Sequence, residues 1–313
     1  MCGIAGRILD EPGPVGVDLV ELMQAQRHRG ADSTGFALYG SPLETGYRVV
    51  VFLEDRSQAT DVIDRFEQVL KRHGAEFIER PTLNDAATQH GALRFTVSEP
   101  DSPIEVWTNE CDGIAGTEIL SVGRSLEIVK DDGDAYQVAD RHGVRDFIGT
   151  HGLGHARLAT ESSVSPIASH PFWARPFPDV AIVHNGQLTN YYLWRRRLEH
   201  HGYRFATEND SELIAVWLSD QMKSGASLSE SLTASVTALD GVFTFLLSTA
   251  DEIGMAKDRL AIKPIVAVET DGATAMATEE QAIRHLYGVE AKPINLDGPG
   301  TVRVWPIKTG VGV

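Results

Sequence analysis

The sequence predicts an α+β protein of packed, mainly antiparallel sheets with helices outside them. Three observations carry that expectation. Strand-like and helix-like segments come in blocks, in the order strands, helices, strands. Most connections between strand-like segments are short. No internal repeat or low-complexity linker divides the 313 residues, a length that suits one large domain or two ordinary ones.

The elements follow in chain order. Ile4, Ala5 and Ile8 read as a short buried strand. Residues 17–27 carry Leu19, Val20, Leu22, Met23 and Ala25 at helical spacing. The helix runs into His28-Arg29-Gly30-Ala31-Asp32-Ser33-Thr34-Gly35, a polar loop that reads first as a salt-bridged turn and second as the wall of a site. Residues 36–39 and 47–53 are strand-like. An amphipathic helix at 61–73 follows, with Val62, Ile63, Phe66, Val69 and Leu70 on one face. The pattern loosens from 80 to 149. Short strands are expected at 92–97, 104–107 and 117–122. Asp131-Asp132-Gly133-Asp134 reads as a surface turn, with too few ligand positions for a calcium loop. Cys111 reads as a packed or semi-exposed thiol.

Beyond residue 151, alternation along a strand puts His155, Arg157 and Ala159 on one face. An arginine in a core-bound strand must be paired, either by an internal carboxylate or by a ligand carboxylate. The apolar strand 180–183 ends at His184-Asn185-Gly186-Gln187. Asn-Gly there is usually a turn, but an Asn side chain beside a backbone N–H also makes an oxyanion hole. Thr189 or Asn190 caps a helix to about His200, and Asn209 or Asp210 caps another at 213–222. A helix at 227–238, strands at 242–247, 253–256, 265–268 and 274–277, a helix at 279–286 and two edge strands complete the chain.

The composition excludes several function classes. Lys plus Arg is 28 and Asp plus Glu is 44, a net charge of −16 that leaves no phosphate-neutralising surface for nucleic acid. No apolar run is long enough to span a membrane, and no secretory signal is visible. Two cysteines, without a close Cys/His cluster, suit neither a disulfide scaffold nor zinc and point to a reducing, cytoplasmic setting.

The chemistry centres on Met1-Cys2-Gly3-Ile4-Ala5-Gly6. Removal of Met1 would leave a cysteine whose thiol shares one residue with a free amine. Thiols and α-amines titrate at about 8.5 and about 7.7–8.0, so nucleophile and base are matched near neutrality. The plain alternative is an accidental cysteine at a frayed terminus.

These blocks together resemble the class II glutamine amidotransferases of the N-terminal nucleophile hydrolases. The residues that carry it are Cys2-Gly3-Ile4-Ala5-Gly6, His28-Arg29-Gly30 with Asp32-Ser33 and Gly35, Gly154-His155-Ala156-Arg157 with Ala159-Thr160, His184-Asn185-Gly186, and Asn209-Asp210-Ser211-Glu212. Asp240-Gly241 and Lys257-Asp258-Arg259 with Lys263-Pro264 add to it. The resemblance implies a four-layer αββα sandwich of two mainly antiparallel sheets and hydrolysis of L-glutamine to glutamate and ammonia. By matching position it implies Cys2 as nucleophile and Asn185 and Gly186 as the oxyanion hole. Arg157, with Thr160 nearby, would clamp the α-carboxylate, Asp210 would pair with the α-ammonium, and Arg29 would support the site. It implies no metal and no cofactor in this chain.

Two departures qualify the resemblance. One amidotransferase domain would span 1–313, with an inserted or elaborated segment at about 47–149 whose role stays open. No synthase module is recognisable after it. The chain most resembles stand-alone amidotransferase subunits related to glutamate synthase and N-methylglutamate synthase, which implies separate synthase partners, one of them carrying a flavin. Two alternatives stand beside this: an N-terminal nucleophile hydrolase for another amide, and a regulatory subunit silenced by retention of Met1.

Overall fold

The computed structural model describes residues 2–84, 88–158 and 166–308. The chain opens with β1 (Gly3–Gly13), α1 (Val15–Ala25) and β2 (Ser33–Tyr39). Next come β3 (Tyr47–Leu53), α2 (Ala59–Arg72), β4 (Phe77–Leu83), β5 (Gly91–Val97), α3 (Ile104–Cys111) and β6 (Thr117–Gly123). β7 (Leu126–Asp132), α4 (Ala135–His142), β8 (Gly149–Arg157), β9 (Phe172–Trp173) and β10 (Ala181–Leu188) follow. Three helices stand in a row: α5 (Tyr191–His200), α6 (Asp210–Lys223) and α7 (Leu228–Ala238). The chain then runs through β11 (Gly241–Ser248), β12 (Glu252–Lys257), β13 (Val266–Thr270), β14 (Ala273–Ala277), α8 (Glu280–Tyr287), β15 (Ile294–Asn295) and β16 (Val302–Pro306).

Among the described strands, three sheets form. One has the order β15-β13-β14-β1-β8-β2-β7, the second β16-β12-β11-β10-β9, and the third β4-β5-β3-β6. The first two face each other. Alternation along β1 sends Ile4 and Ile8 into the core between them, with Leu153, Val183, Leu246 and Met255, and sends Ala5 and Leu9 outward under α1 and α8. On the far side, α5, α6 and α7 bury Leu198, Ile214, Trp217 and Leu232 against the second sheet. This is the helix–sheet–sheet–helix layering expected of the family. Burial of each large apolar side chain, such as Leu19 or Phe245, contributes roughly 2 kcal/mol.

The third sheet lies within the segment 47–149, but only part of that segment builds it. β3 to β6, with α2 and α3, make the extra sheet, whereas β7 pairs with β2 and α4 packs on α1. The extra sheet adds Val49, Phe66, Phe95 and Trp107 to the same core that lies between the main sheets.

Three local expectations are corrected. Residues 104–107 are helical, not extended. Pro103, with φ −53°, starts the turn, and Trp107 and Cys111 are buried one helical turn apart, so packing overrides the strand preference of Ile, Val and Trp. The run Asp131–Asp134 is not a surface turn. Asp131 is 1% exposed at the end of β7, and Asp134 caps α4 through a capping box with Gln137. His184-Asn185-Gly186-Gln187 is not a turn either, because β10 continues through it in register with β11. Gly186 has φ +150°, and a Cβ there would lie 2.0 Å from the Val242 carbonyl oxygen, so the ladder needs glycine at this point.

Candidate active site

The start of β1 is fixed by two residues, Thr278 and Gln26. Thr278 accepts the Ile4 N–H at 2.8 Å through Oγ1 and donates its own N–H to the Ile4 carbonyl at 3.0 Å. Buried Gln26 donates Nε2 to the carbonyls of Leu22 and Ile4 at 3.2 and 3.4 Å. Cys2 therefore stands two residues before the clamped Ile4, half-buried, with its thiol unbridged. Its carbonyl accepts Asn185 Nδ2 at 3.0 Å and Arg29 Nη1 at 3.4 Å. The loop at 28–35 is salt-bridged, as its composition suggested, and its partner is Glu279. Arg29 Nε lies 2.5 Å from that carboxylate and His28 Nε2 2.8 Å. Burial pushes the Glu279 carboxyl up, but its bonds to Arg29 and His28 outweigh this and hold it below the usual carboxylate range.

Cys2, Arg157, Asn185, Gly186 and Asp210 line one cleft of about 340 Å³. Five of the residues singled out from the sequence are thus brought together. Arg29 stands behind Cys2, outside the lining, and Thr160 and Met1 lie outside the described residues. Arg157 ends β8 and is 8% exposed. Asp210 opens α6, where Asn209 is the cap and accepts the Ser211 N–H at 2.9 Å. Asp210 Oδ2 accepts the Leu188 N–H at 2.9 Å, and Oδ1 lies 3.4 Å from His184 Nδ1. Burial raises the Asp210 carboxyl, yet His184 and the Leu188 amide prevail and hold it below its ordinary value, so it stays ionised near neutrality. The cleft thus offers a thiol, an amide donor, a guanidinium and a carboxylate, the set an α-amino-acid amide needs.

His170 and His184 also line the cleft and His155 packs behind them, a cluster for which the sequence suggests no site role. His170 Nε2 and His184 Nδ1 lie 2.6 and 2.9 Å from Ser211 Oγ. His155 stacks on His170 with centroids 4.0 Å apart, and its Nε2 donates to the His184 carbonyl at 3.2 Å. Burial pushes the His155 imidazole down to about 3 and His170 well below its ordinary value, so both are neutral at pH 7. The alternation that placed His155 beside Arg157 was the available signal for one of these rings. His170 sits in a proline-rich stretch with no periodicity to read. Lys263 also lines the cleft.

Among the described residues, only His90, Asp131 and Asp132 group with metal-ligand spacing. Asp131 is already engaged by His90 at 2.6 Å and His142 at 3.1 Å, and the Arg141 guanidinium 3.5 Å away opposes a cation. No helix of the described residues is long and apolar enough to cross a membrane.

Comparison with known proteins agrees with this geometry. A family described as the glutamine amidotransferase domain matches residues 155–285. A protein of Methanothermobacter thermautotrophicus assigned to the glutamine amidotransferases is 34% identical over 98% of this chain and 100% of its own length. The glutamine amidotransferase-like protein GlxB of Rhizobium meliloti is 34% identical over 97% of this chain and 98% of its own. The glutamine–fructose-6-phosphate aminotransferase of Vibrio vulnificus matches 54% of this chain and 27% of its own length, at 28% identity. In fold, the chain is similar to the glutamine phosphoribosylpyrophosphate amidotransferase of B. subtilis, with a TM-score of 0.59 and 17% identity over 97% of this chain and 47% of that one. The layered sheets, the clamped Cys2 and these full-length matches agree: the chain belongs to the class II glutamine amidotransferases, with the fold of the N-terminal nucleophile hydrolases.

Proposed function

We propose that this protein hydrolyses L-glutamine to glutamate and ammonia through a thioester on Cys2, and passes the ammonia to a separate synthase subunit. The observation that carries the reading is the convergence of Cys2, Arg157, Asn185, Gly186 and Asp210 on one cleft.

In this reading Met1 is removed and the Cys2 amine takes the thiol proton. The sulfur attacks the glutamine side-chain carbonyl, and the oxyanion is met by the second Asn185 Nδ2 hydrogen and the Gly186 N–H. The ammonium on Cys2 returns its proton to the departing nitrogen, which leaves as ammonia. Water, deprotonated by the same amine, then cleaves the γ-glutamyl thioester and frees glutamate and the thiol. Arg157, with Thr160 beside it in sequence, pairs with the substrate α-carboxylate and Asp210 with the α-ammonium. Arg29 acts as a support, tying the Cys2 carbonyl to Glu279.

The partner assignment is supported by the relatives. The archaeal and rhizobial proteins share nearly their whole length with this chain, whereas the Vibrio aminotransferase shares about a quarter of its own. That pattern supports a chain separate from its acceptor, and the glutamate-synthase-like acceptor, with a flavin on the partner, follows from the sequence resemblance. We read 1–313 as a single type-2 amidotransferase domain elaborated at 47–149. A cytoplasmic setting is supported by the two free cysteines.

The test is glutamate release from glutamine by the purified chain beside Cys2→Ala, with the N-terminal mass of both determined. Release that needs Cys2 and a missing Met1 is the expected result. Release unaffected by Cys2→Ala would rule the mechanism out.

A further inference from the structure

Lys130, on β7, is 5% exposed and among the described residues makes no hydrogen bond to a carboxylate. Its ammonium instead donates to three backbone carbonyls: Ser169 at 2.8 Å, Ile167 at 3.0 Å and Pro171 at 3.3 Å. Its three donors are used on three carbonyls. The two carboxylates whose charge acts on it, Glu118 and Glu212, are hydrogen-bonded to other groups. Glu118, on β6, holds Arg175 at 2.5 Å, and Glu212, on α6, accepts the N–H groups of Ala206 and Thr207. The Phe172 ring lies 4.6 Å from the ammonium. Burying a charge with so little compensation is costly. For packing alone, methionine would serve better at this position. What only an ammonium does here is collect three carbonyls.

Those carbonyls bracket His170. The segment also lies directly on Gly35, which pairs with Lys130 across the sheet. A Cβ on Gly35 would come within 2.2 Å of the His170 carbonyl oxygen. Gly35 and Lys130 thus meet the segment from the same face of the sheet, one by close backbone approach and the other by its ammonium, and the His170 ring projects to Ser211 Oγ at the head of α6, next to Asp210. We propose that Lys130 is a positioning residue for substrate capture: it gathers the carbonyls of Ile167, Ser169 and Pro171 and thereby sets His170 against Ser211 at the wall of the Cys2 cleft. The inference rests on the glutamine reading of that cleft. Lys130 touches no reacting atom and acts on the binding of the amino acid, not on the thiol.

The test compares two reagents on the full-length chain. A diazoketone analogue of glutamine needs the amino-acid site before it can trap Cys2. Iodoacetamide needs only the thiol. Cys111 does not interfere, since it is 0% exposed and burial pushes its thiol up. In Lys130→Met, trapping by the diazoketone is expected to slow by about 10- to 100-fold, because displacement of a site by about 1 Å has effects of that size. Alkylation by iodoacetamide should stay within about twofold of wild type, and the KM for glutamine should rise more than kcat falls. His170→Asn, which leaves Lys130 in place, should give the same split and serves if Lys130→Met does not fold. The double variant should be no slower than either single one.

Wild-type trapping by the diazoketone in Lys130→Met overturns the inference. So does an equal loss with both reagents, which would mean general collapse. So does full additivity with His170→Asn. A wild-type chain that reacts with iodoacetamide but never with the diazoketone overturns the glutamine reading itself, and this inference with it.

Discussion

Asn185 spends one hydrogen of its carboxamide on the Cys2 carbonyl at 3.0 Å, which leaves the other for the cleft. If that second hydrogen meets an oxyanion, Asn185→Ala should lower kcat for glutamine hydrolysis by about 100- to 1,000-fold, the usual loss for one such donor, with little change in KM. Asp210→Asn should do the reverse. It keeps an acceptor and removes the charge, so KM should rise by about tenfold or more while kcat moves less. Steady-state kinetics on the two variants decides the matter, and Asn185→Ala acting on KM alone would contradict the assignment. The residues that meet in the cleft were largely legible in the sequence. Cys2, Arg157, Asn185 and Asp210 each carry a functional group that a free amino-acid amide calls for. The histidines were not legible. An imidazole bonded to Ser211 becomes a site residue only when α6, β10 and the stretch before β9 meet, and no local pattern encodes that meeting.

Elements were legible where periodicity was strong and lost where packing decides. α2 and α7 lie within two residues of their expected spans, because an apolar face at helical spacing and a Ser227–Glu230 capping box mark them locally. α4 is short, and its cap sits in an acidic run that reads equally well as a turn. β10 passes through Asn-Gly because Gly186 can take φ +150°, which an isolated Asn-Gly does not reveal. The two helix caps also separate stability from function. Ser227→Ala removes the acceptor for the Glu230 N–H far from the cleft and should cost about 1 kcal/mol of unfolding free energy with unchanged glutamine hydrolysis. Asn209→Ala removes the acceptor for the Ser211 N–H and should cost a similar amount, but it also loosens the turn that presents Asp210 and Ser211 to the cleft. Its KM for glutamine should rise as well. Denaturant titration and kinetics on the pair would expose an error if both variants changed stability alone.

At the scale of the whole molecule, the space between the two main sheets imposes a dependence on pH. His155 is buried there, and His151, stacked on Tyr39 with centroids 4.1 Å apart, donates to or accepts from nothing charged, meeting Thr249 O at 2.9 Å and Thr150 Oγ1 at 2.9 Å. Burial pushes His151 down to about 4 and His155 to about 3. For a base, a lowered folded value means that the unfolded chain binds more protons below pH ~6.5, so stability must fall as pH falls through that value and keep falling until the folded value is reached. Each ring then contributes a loss of about 2 kcal/mol by pH 5. Asp131 adds a second phase in stronger acid. Burial raises its carboxyl, but bonds from His142 and His90 outweigh this and hold it at about 2, so its contribution is lost between pH ~4 and ~2. His151 and His155 alone should therefore lower the unfolding free energy, measured by denaturant at pH 7.5 and pH 5, by roughly 4 kcal/mol, with buried His170 adding in the same direction, a large part of the 5–15 kcal/mol typical of a folded domain. In His151→Gln, which keeps a donor and does not titrate, the drop between the two pH values should shrink by about 2 kcal/mol even if the variant is less stable at pH 7.5. Equal stability of the wild-type chain at both pH values would mean that these rings are charged in the folded protein, and that the inter-sheet core is more hydrated than their burial allows.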